Sequence, residues 1–296
     1  MNDHDLDLGE RRGRVLAGPA ELQGILDAGK GVTLLDVRWA LGRTDGRARY
    51  EEGHLPGAVY VDLETELSGL ATSATGRHPL PSVVALQDAA RSWGVRRGVP
   101  VVVYDTLGGL SAARAWWLLR WGGHEDVRIL DGGLDGWVRR GGSLDRGDVV
   151  APEGDVVLRG GCLPVVDADG AAALAEDGVL LDARAGERYR GEVEPVDPRA
   201  GHVPGARSVP AADTLGPDGR LRPAAELVEV LRAAGVDVVA ARASRAAPRT
   251  GVYCGSGVTA SLGVAVLASL GIDAALYPGS WSQWSADPDR PVVVGP

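Results

Sequence analysis

The chain repeats itself, and the repeat limits its architecture more than any other feature. LLDVR at 34–38 returns as LLDAR at 180–184, and HLPGA at 54–58 returns as HVPGA at 202–206. VYD at 103–105 is answered by VYC at 252–254, and GGLDGW at 132–137 by GSWSQW at 279–284. The four offsets are 146, 148, 149 and 147 residues, in one order along the chain. Self-similarity at a fixed period marks a tandem duplication. Between the copies, GGSLDRGDVVAPEGDVVLRGG at 141–161 is rich in glycine and charge, as a connection is. The expected division is therefore residues 1–145, a linker at 146–161, and 162–296. The length of 296 residues suits two domains.

Each copy alternates short apolar runs with helical patterns. LLDV, AVYVD, VVVYD and VRILD predict strands in the first copy, and VLLDA, GVYC and AALYP their partners in the second. Residues 81–93 and 111–121 predict helices, as do residues 223–235, whose apolar residues recur at i, i+3, i+4 and i+7 before Gly235. Strands that are apolar throughout, with helices between them, predict an α/β fold with a parallel sheet covered on both faces. The spacing Gly94 to Tyr104 is 10 residues and Gly235 to Tyr253 is 18, so an insertion near ARASRAAPR predicts a surface loop.

A net charge of −9 argues against nucleic acid as the partner. No apolar run has the ~20 residues of a membrane span, and the charged N-terminus lacks a secretory pattern. Two cysteines are too few for a disulfide scaffold or a four-cysteine zinc site, so a cytoplasmic protein without a metal or cofactor is expected. Phe is absent and Lys30 is the only lysine, a bias that carries no functional meaning.

The chemistry concentrates at VYCGSGVTASLG, residues 252–263. A strand ends at Cys254, a turn follows through Gly255, Ser256 and Gly257, and a helix opens near Val258 or Thr259. Sites in open α/β sheets lie beyond the carboxyl ends of strands. The glycines let several N–H groups converge, and the helix N-terminus adds partial positive charge. Both favour a thiolate over a thiol, which makes Cys254 a candidate nucleophile. The first copy has Asp105 at this place, so it lacks the nucleophile and is expected to serve as scaffold and as a wall of the site. Cys162, at the linker edge, reads as an inert small hydrophobe. His54, His202, Asp36 and Asp182 occur in both copies and read as structural, as do Arg184 and Arg190. Trp281 and Trp284 are expected to pack behind the active loop.

The paired LLD[VA]R and H[LV]PGA motifs, the CGSGVTA loop and the closing GSWSQW resemble the tandem-domain rhodanese-type sulfurtransferases, from about residue 20 onward. The resemblance implies two rhodanese folds, each a five-stranded parallel sheet with helices on both faces. It implies that Cys254 takes sulfur as a persulfide and passes it to thioredoxin, a small thiol or cyanide. The uncharged loop is similar to that of 3-mercaptopyruvate sulfurtransferases, whose loop reads CG[SA]GVT. Thiosulfate as the main donor is the alternative. On the same resemblance Arg188 and Arg199 bind the donor carboxylate, and the loop residues Gly255, Gly257, Val258 and Thr259 line it. Ser256, His78 and an acidic residue handle the proton that the pyruvate enolate needs. Glu64 stands where the family has an aspartate, with Asp62 two residues away. A cysteine phosphatase would need arginine six residues after Cys254, where Ala260 stands. A non-catalytic binding module would not need the intact cysteine loop.

Overall fold

A computed structural model describes residues 3–243 and 248–296. The first copy forms strands β1 (Leu16–Ala17), β2 (Thr33–Asp36), β3 (Val59–Tyr60), β4 (Val101–Tyr104) and β5 (Val127–Leu130). They make one parallel sheet in the order β1-β5-β4-β2-β3. The second copy forms β6 (Val179–Asp182), β7 (Arg207–Ser208), β8 (Thr250–Tyr253) and β9 (Ala275–Leu276), in the order β7-β6-β8-β9. The two orders superpose strand for strand. The expected fifth strand of the second sheet is reduced to a single parallel bridge, Val165 to Leu276. Pro164 precedes it and has no N–H to give, so only its carbonyl joins the ladder, accepting from Leu276 N at 3.1 Å.

Both central strands, β4 and β8, are buried along their whole length, which explains why they are apolar rather than alternating. The helices that follow them, Ala112–Trp121 and Thr259–Ser269, are buried nearly all round because they pack on each other between the copies. One hydrophobic core consequently runs through both halves, from Trp117 to Leu267. The first helix, Asp3–Val15, leans on Thr259–Ser269, so the N-terminal segment also ties the copies together. The connection is held down: Val156 N donates to Val95 O at 3.2 Å and Leu158 N to the Gln87 side chain at 3.1 Å. The inserted stretch of the second copy opens as a short helix, Val238–Ala243, and residues 244–247 lie outside the described residues. No helix among the described residues is long and apolar enough to cross a membrane.

The repeated motifs hold the sheets together. Asp36 and Arg38 form a buried ion pair at 2.5 Å, repeated by Asp182 and Arg184 at 2.6 Å. His54 stacks on Tyr50 and bonds the Tyr50 carbonyl, and His202 does the same with Tyr189. His54, His202, Asp36, Asp182 and Arg184 thus tie backbone and side chains together within their own halves, the structural use that their occurrence in both copies implies.

Candidate active site

The two loops after β4 and β8 are the same device with different contents. In the first copy the Asp105 carboxylate accepts from the N–H groups of Leu107, Gly109, Ser111 and Ala112 and from the Ser111 hydroxyl, at 2.8–2.9 Å. That loop is closed around its own anion. In the second copy Cys254 Sγ accepts one such bond, from Gly257 N at 3.2 Å. Gly257 is at φ +80°, and a Cβ there would lie 2.6 Å from the Pro278 carbonyl, so this turn requires glycine. The GSWSQW motif forms the floor. Ser280, at φ +53°, donates to Tyr277 O and receives Cys254 N at 3.1 Å, while Trp281 N and Ser282 N bond the carbonyls of Cys254 and Gly255. Trp281 and Trp284 are buried behind the loop.

A cavity of about 240 Å³ opens above Cys254, lined by both copies. Gly255, Ser256, Val258, Thr259 and Arg188 come from the second copy, and Trp39, Leu110 and Arg77 from the first. Gly76 brings the first copy in: a Cβ on it would sit 2.6 Å from Gly279 O, so only glycine allows this approach. The adjacent Arg77 N then bonds the Ser282 hydroxyl at 3.1 Å.

His78 follows directly. Its Nδ1 lies 2.7 Å from Ser256 Oγ and its Nε2 3.1 Å from Glu64 Oε2. Glu64 is fixed in turn by Trp39 Nε1–H at 2.6 Å, and the Trp39 ring meets the imidazole edge-on. A carboxylate only accepts, so Nε2 carries the proton and Nδ1 is free to take one from Ser256. Burial pushes the His78 pKa below its ordinary value, against the opposing pull of Glu64. Asp62 has another use: it caps the short helix Leu63–Glu66 by accepting from Glu64 N and Thr65 N. The geometry thus joins Ser256, His78 and Glu64 across the interface of the copies.

Of the two arginines expected at the donor, the structure brings one. Arg188 lines the cavity, bonded to Glu194 at 2.6 Å and to Asp197 at 3.2 Å. Arg199 does not reach it. Its guanidinium donates to the carbonyls of Ser285, Arg290, Trp284 and Asp287 and fastens the C-terminal segment. The second cation is Arg77, which pairs with Asp197. A Cβ on Gly255 would meet Arg77 Nη2 at 3.0 Å and Arg188 Nη1 at 3.4 Å, so the two guanidiniums converge on that glycine. Both leave Nε buried and without a hydrogen-bond partner among the described residues. The only sequence signal for Arg77 was its adjacency to His78. Cys162 is exposed and lies away from this cavity, against His124 and Arg159.

Paired sheets of one topology, with a cysteine loop at the end of a central strand, define a two-domain rhodanese. The rhodanese-like domain family matches residues 18–140 and 167–287, and the chain belongs to it. Among relatives, it is 49% identical over 292 residues to Mycobacterium tuberculosis SseB, which carries a provisional thiosulfate sulfurtransferase name (97% of this chain, 99% of that protein). It is 44% identical to a Pseudomonas aeruginosa protein named as a probable 3-mercaptopyruvate sulfurtransferase, over 88% of this chain and 92% of that one. The crystal structure of SseA from Escherichia coli, described as a 3-mercaptopyruvate enzyme, matches with a TM-score of 0.77 at 34% identity, covering 90% of this chain and 98% of that one. The chain is an enzyme of the sulfurtransferase type.

Proposed function

We propose that the enzyme takes sulfur from 3-mercaptopyruvate onto Cys254 and delivers it to a thiol or to cyanide. The observation that carries this reading is the Ser256–His78–Glu64 chain, at 2.7 and 3.1 Å. Cleaving the carbon–sulfur bond of mercaptopyruvate leaves a pyruvate enolate that must gain a proton on carbon. Sulfite leaving from thiosulfate needs none. A proton relay beside the loop therefore suits the first donor and is idle for the second.

The carboxylate of the donor lies between Arg77 and Arg188, whose planar forks match it. Ser256 takes the donor thiol proton as His78, neutral at this burial, accepts from Ser256. Glu64 steadies the imidazolium formed. The Cys254 thiolate attacks the donor sulfur, a sulfur–sulfur bond forms, and the carbon–sulfur pair stays on carbon. The relayed proton returns to that carbon, giving pyruvate and a Cys254 persulfide anion. An acceptor thiolate then attacks the outer sulfur and restores the Cys254 thiolate; cyanide leaves as thiocyanate. Because the carrier must return to a free thiol, a reducing, cytoplasmic setting suits it.

Thiosulfate as main donor is the second reading, favoured by two guanidiniums at the loop and by the name of the mycobacterial relative. Steady-state kinetics with both donors decide: a higher kcat/KM for thiosulfate overturns the first reading. Cys254→Ser is expected to abolish turnover with either donor. Mass spectrometry after donor treatment is expected to find one added sulfur on the Cys254 peptide and none on Cys162.

A further inference from the structure

The charges around the cavity mouth cancel. Arg184 pairs with Asp182 and Glu194, Arg188 with Glu194 and Asp197, and Arg77 with Asp197. Three guanidiniums meet three carboxylates, which leaves nothing over for an anionic sulfur.

Below the loop the balance differs. Arg114, third residue of the helix Ala112–Trp121 in the first copy, is 0% exposed. It donates to four carbonyls: Leu67 at 3.3 Å, His78 at 2.8 Å, Pro79 at 3.2 Å and Gly257 at 3.3 Å. Among the described residues no carboxylate bonds it. Burial pushes its pKa down to about 10, which still leaves it charged at neutral pH, and the one charge acting the other way is Cys254. A buried charge without a counter-charge is costly enough that proteins rarely keep one. Gly257 links the two groups: its carbonyl receives Arg114, and its N–H meets Cys254 Sγ. Ser261, third residue of the matching helix in the second copy, donates to the same carbonyl at 3.0 Å and carries no charge.

We infer that Arg114 is the buried counter-charge of the anionic sulfur on Cys254, supplied from beneath the loop by the copy that has no nucleophile. It is a positioning residue, because it touches the loop and not the donor. The assignment rests on Cys254 as the sulfur carrier, which the donor kinetics and peptide masses test separately.

The test uses the full chain at fixed pH 7.5. Neutral iodoacetamide, followed as alkylation of the Cys254 peptide by mass so that the exposed Cys162 is counted apart, reports the reactivity of Cys254 without adding charge. Arg114→Gln is expected to slow alkylation at least tenfold and to lower kcat about a hundredfold with little change in donor KM. Arg114→Lys, which keeps the charge and loses the fork, is expected to recover most of the alkylation rate. A folded Arg114→Gln variant that reacts at the wild-type rate would overturn the inference, as would a Lys variant no better than Gln. A second pair needs no change at Arg114. Cys254→Asp and Cys254→Asn have the same shape and differ by one charge at the sulfur position. The Asp variant is expected to melt about 4 °C or more above the Asn variant; an equal or lower Tm refutes the pairing.

Discussion

On the proposed reading, two glycines of one loop separate the cradle for the sulfur from the seat for the donor. Gly257→Ala places a Cβ on a residue at φ +80°, 2.6 Å from Pro278 O and 3.0 Å from Pro278 Cα. The left-handed conformation costs a non-glycine residue about 1 kcal/mol. Both neighbours are backbone and cannot swing aside, so overpacking adds about 1–3 kcal/mol. A total near 3 kcal/mol corresponds to a fall in Tm of roughly 6–12 °C. The backbone shift also draws Gly257 N from Cys254 Sγ, now 3.2 Å away, so iodoacetamide trapping slows. Gly255→Ala meets only the ends of Arg77 and Arg188, at 3.0 and 3.4 Å, and these can bend away. Its stability cost stays below about 1 kcal/mol. Displaced guanidiniums lose a charge-assisted contact with the donor of about 1.5–3 kcal/mol, a rise in KM of about ten- to a hundredfold. Thermal unfolding, alkylation and 3-mercaptopyruvate kinetics on both variants give the answer. Equal losses of Tm, or an unchanged KM in Gly255→Ala, refute this division of the loop.

Other substitutions probe the remaining assignments. Arg199→Ala frees four carbonyls of the C-terminal segment and is expected to lower stability by about 2–3 kcal/mol in urea unfolding while leaving the donor KM unchanged. Asp105→Ala strands three buried N–H groups and the half-buried one of Leu107, and is expected to cost about 3 kcal/mol, with persulfide formation per folded molecule intact. Since burial lowers the His78 pKa from 6.5, its contribution to stability is complete above that pH and is lost as pH falls toward the folded value. Wild type is therefore expected to lose more Tm than His78→Gln between pH 7.5 and 5.5. Glu64→Gln removes the carboxylate charge beside His78 and, on the proposed relay, is expected to lower kcat with 3-mercaptopyruvate about tenfold or more while sparing iodoacetamide trapping.

The features legible in the sequence are those repeated at a constant offset. The alternation of strands and helices, the loop at Cys254 and the structural use of Asp36, Asp182 and Arg184 all follow from comparing one half with the other. The residues misread or missed depend on contacts between halves. Arg199 lies beside HVPGA in the chain, yet its guanidinium is consumed by a segment some 85–91 residues on. Arg77 reaches the cavity beside Cys254 only because Gly76 lets two backbones touch. Arg114 did leave a local mark, a single cation in the first two turns of AARAWWLL. A charge kept within so apolar a helix requires buried partners, and one of its four carbonyls, Gly257 O, lies across the interface.

On the proposed reading, the pair of loops also explains why only one of them carries sulfur. Asp105 fills its loop with an anion that never leaves, and five donors hold it at 2.8–2.9 Å. A carrier loop must hold a thiolate and then a persulfide one sulfur longer, so its anion changes size in every turnover. A loop closed by five donors has no room for that change. At Cys254 one N–H meets the sulfur, and on the proposed reading its counter-charge is Arg114 below, which does not touch it, while the relay and the ion-paired guanidiniums of the cavity above serve the donor. Arg77, His78, Glu64 and Arg114 all come from the half without a cysteine. On the proposed reading, the second copy separated from that half would keep its nucleophile and lose its proton relay, one seat for the donor and the charge beneath the loop.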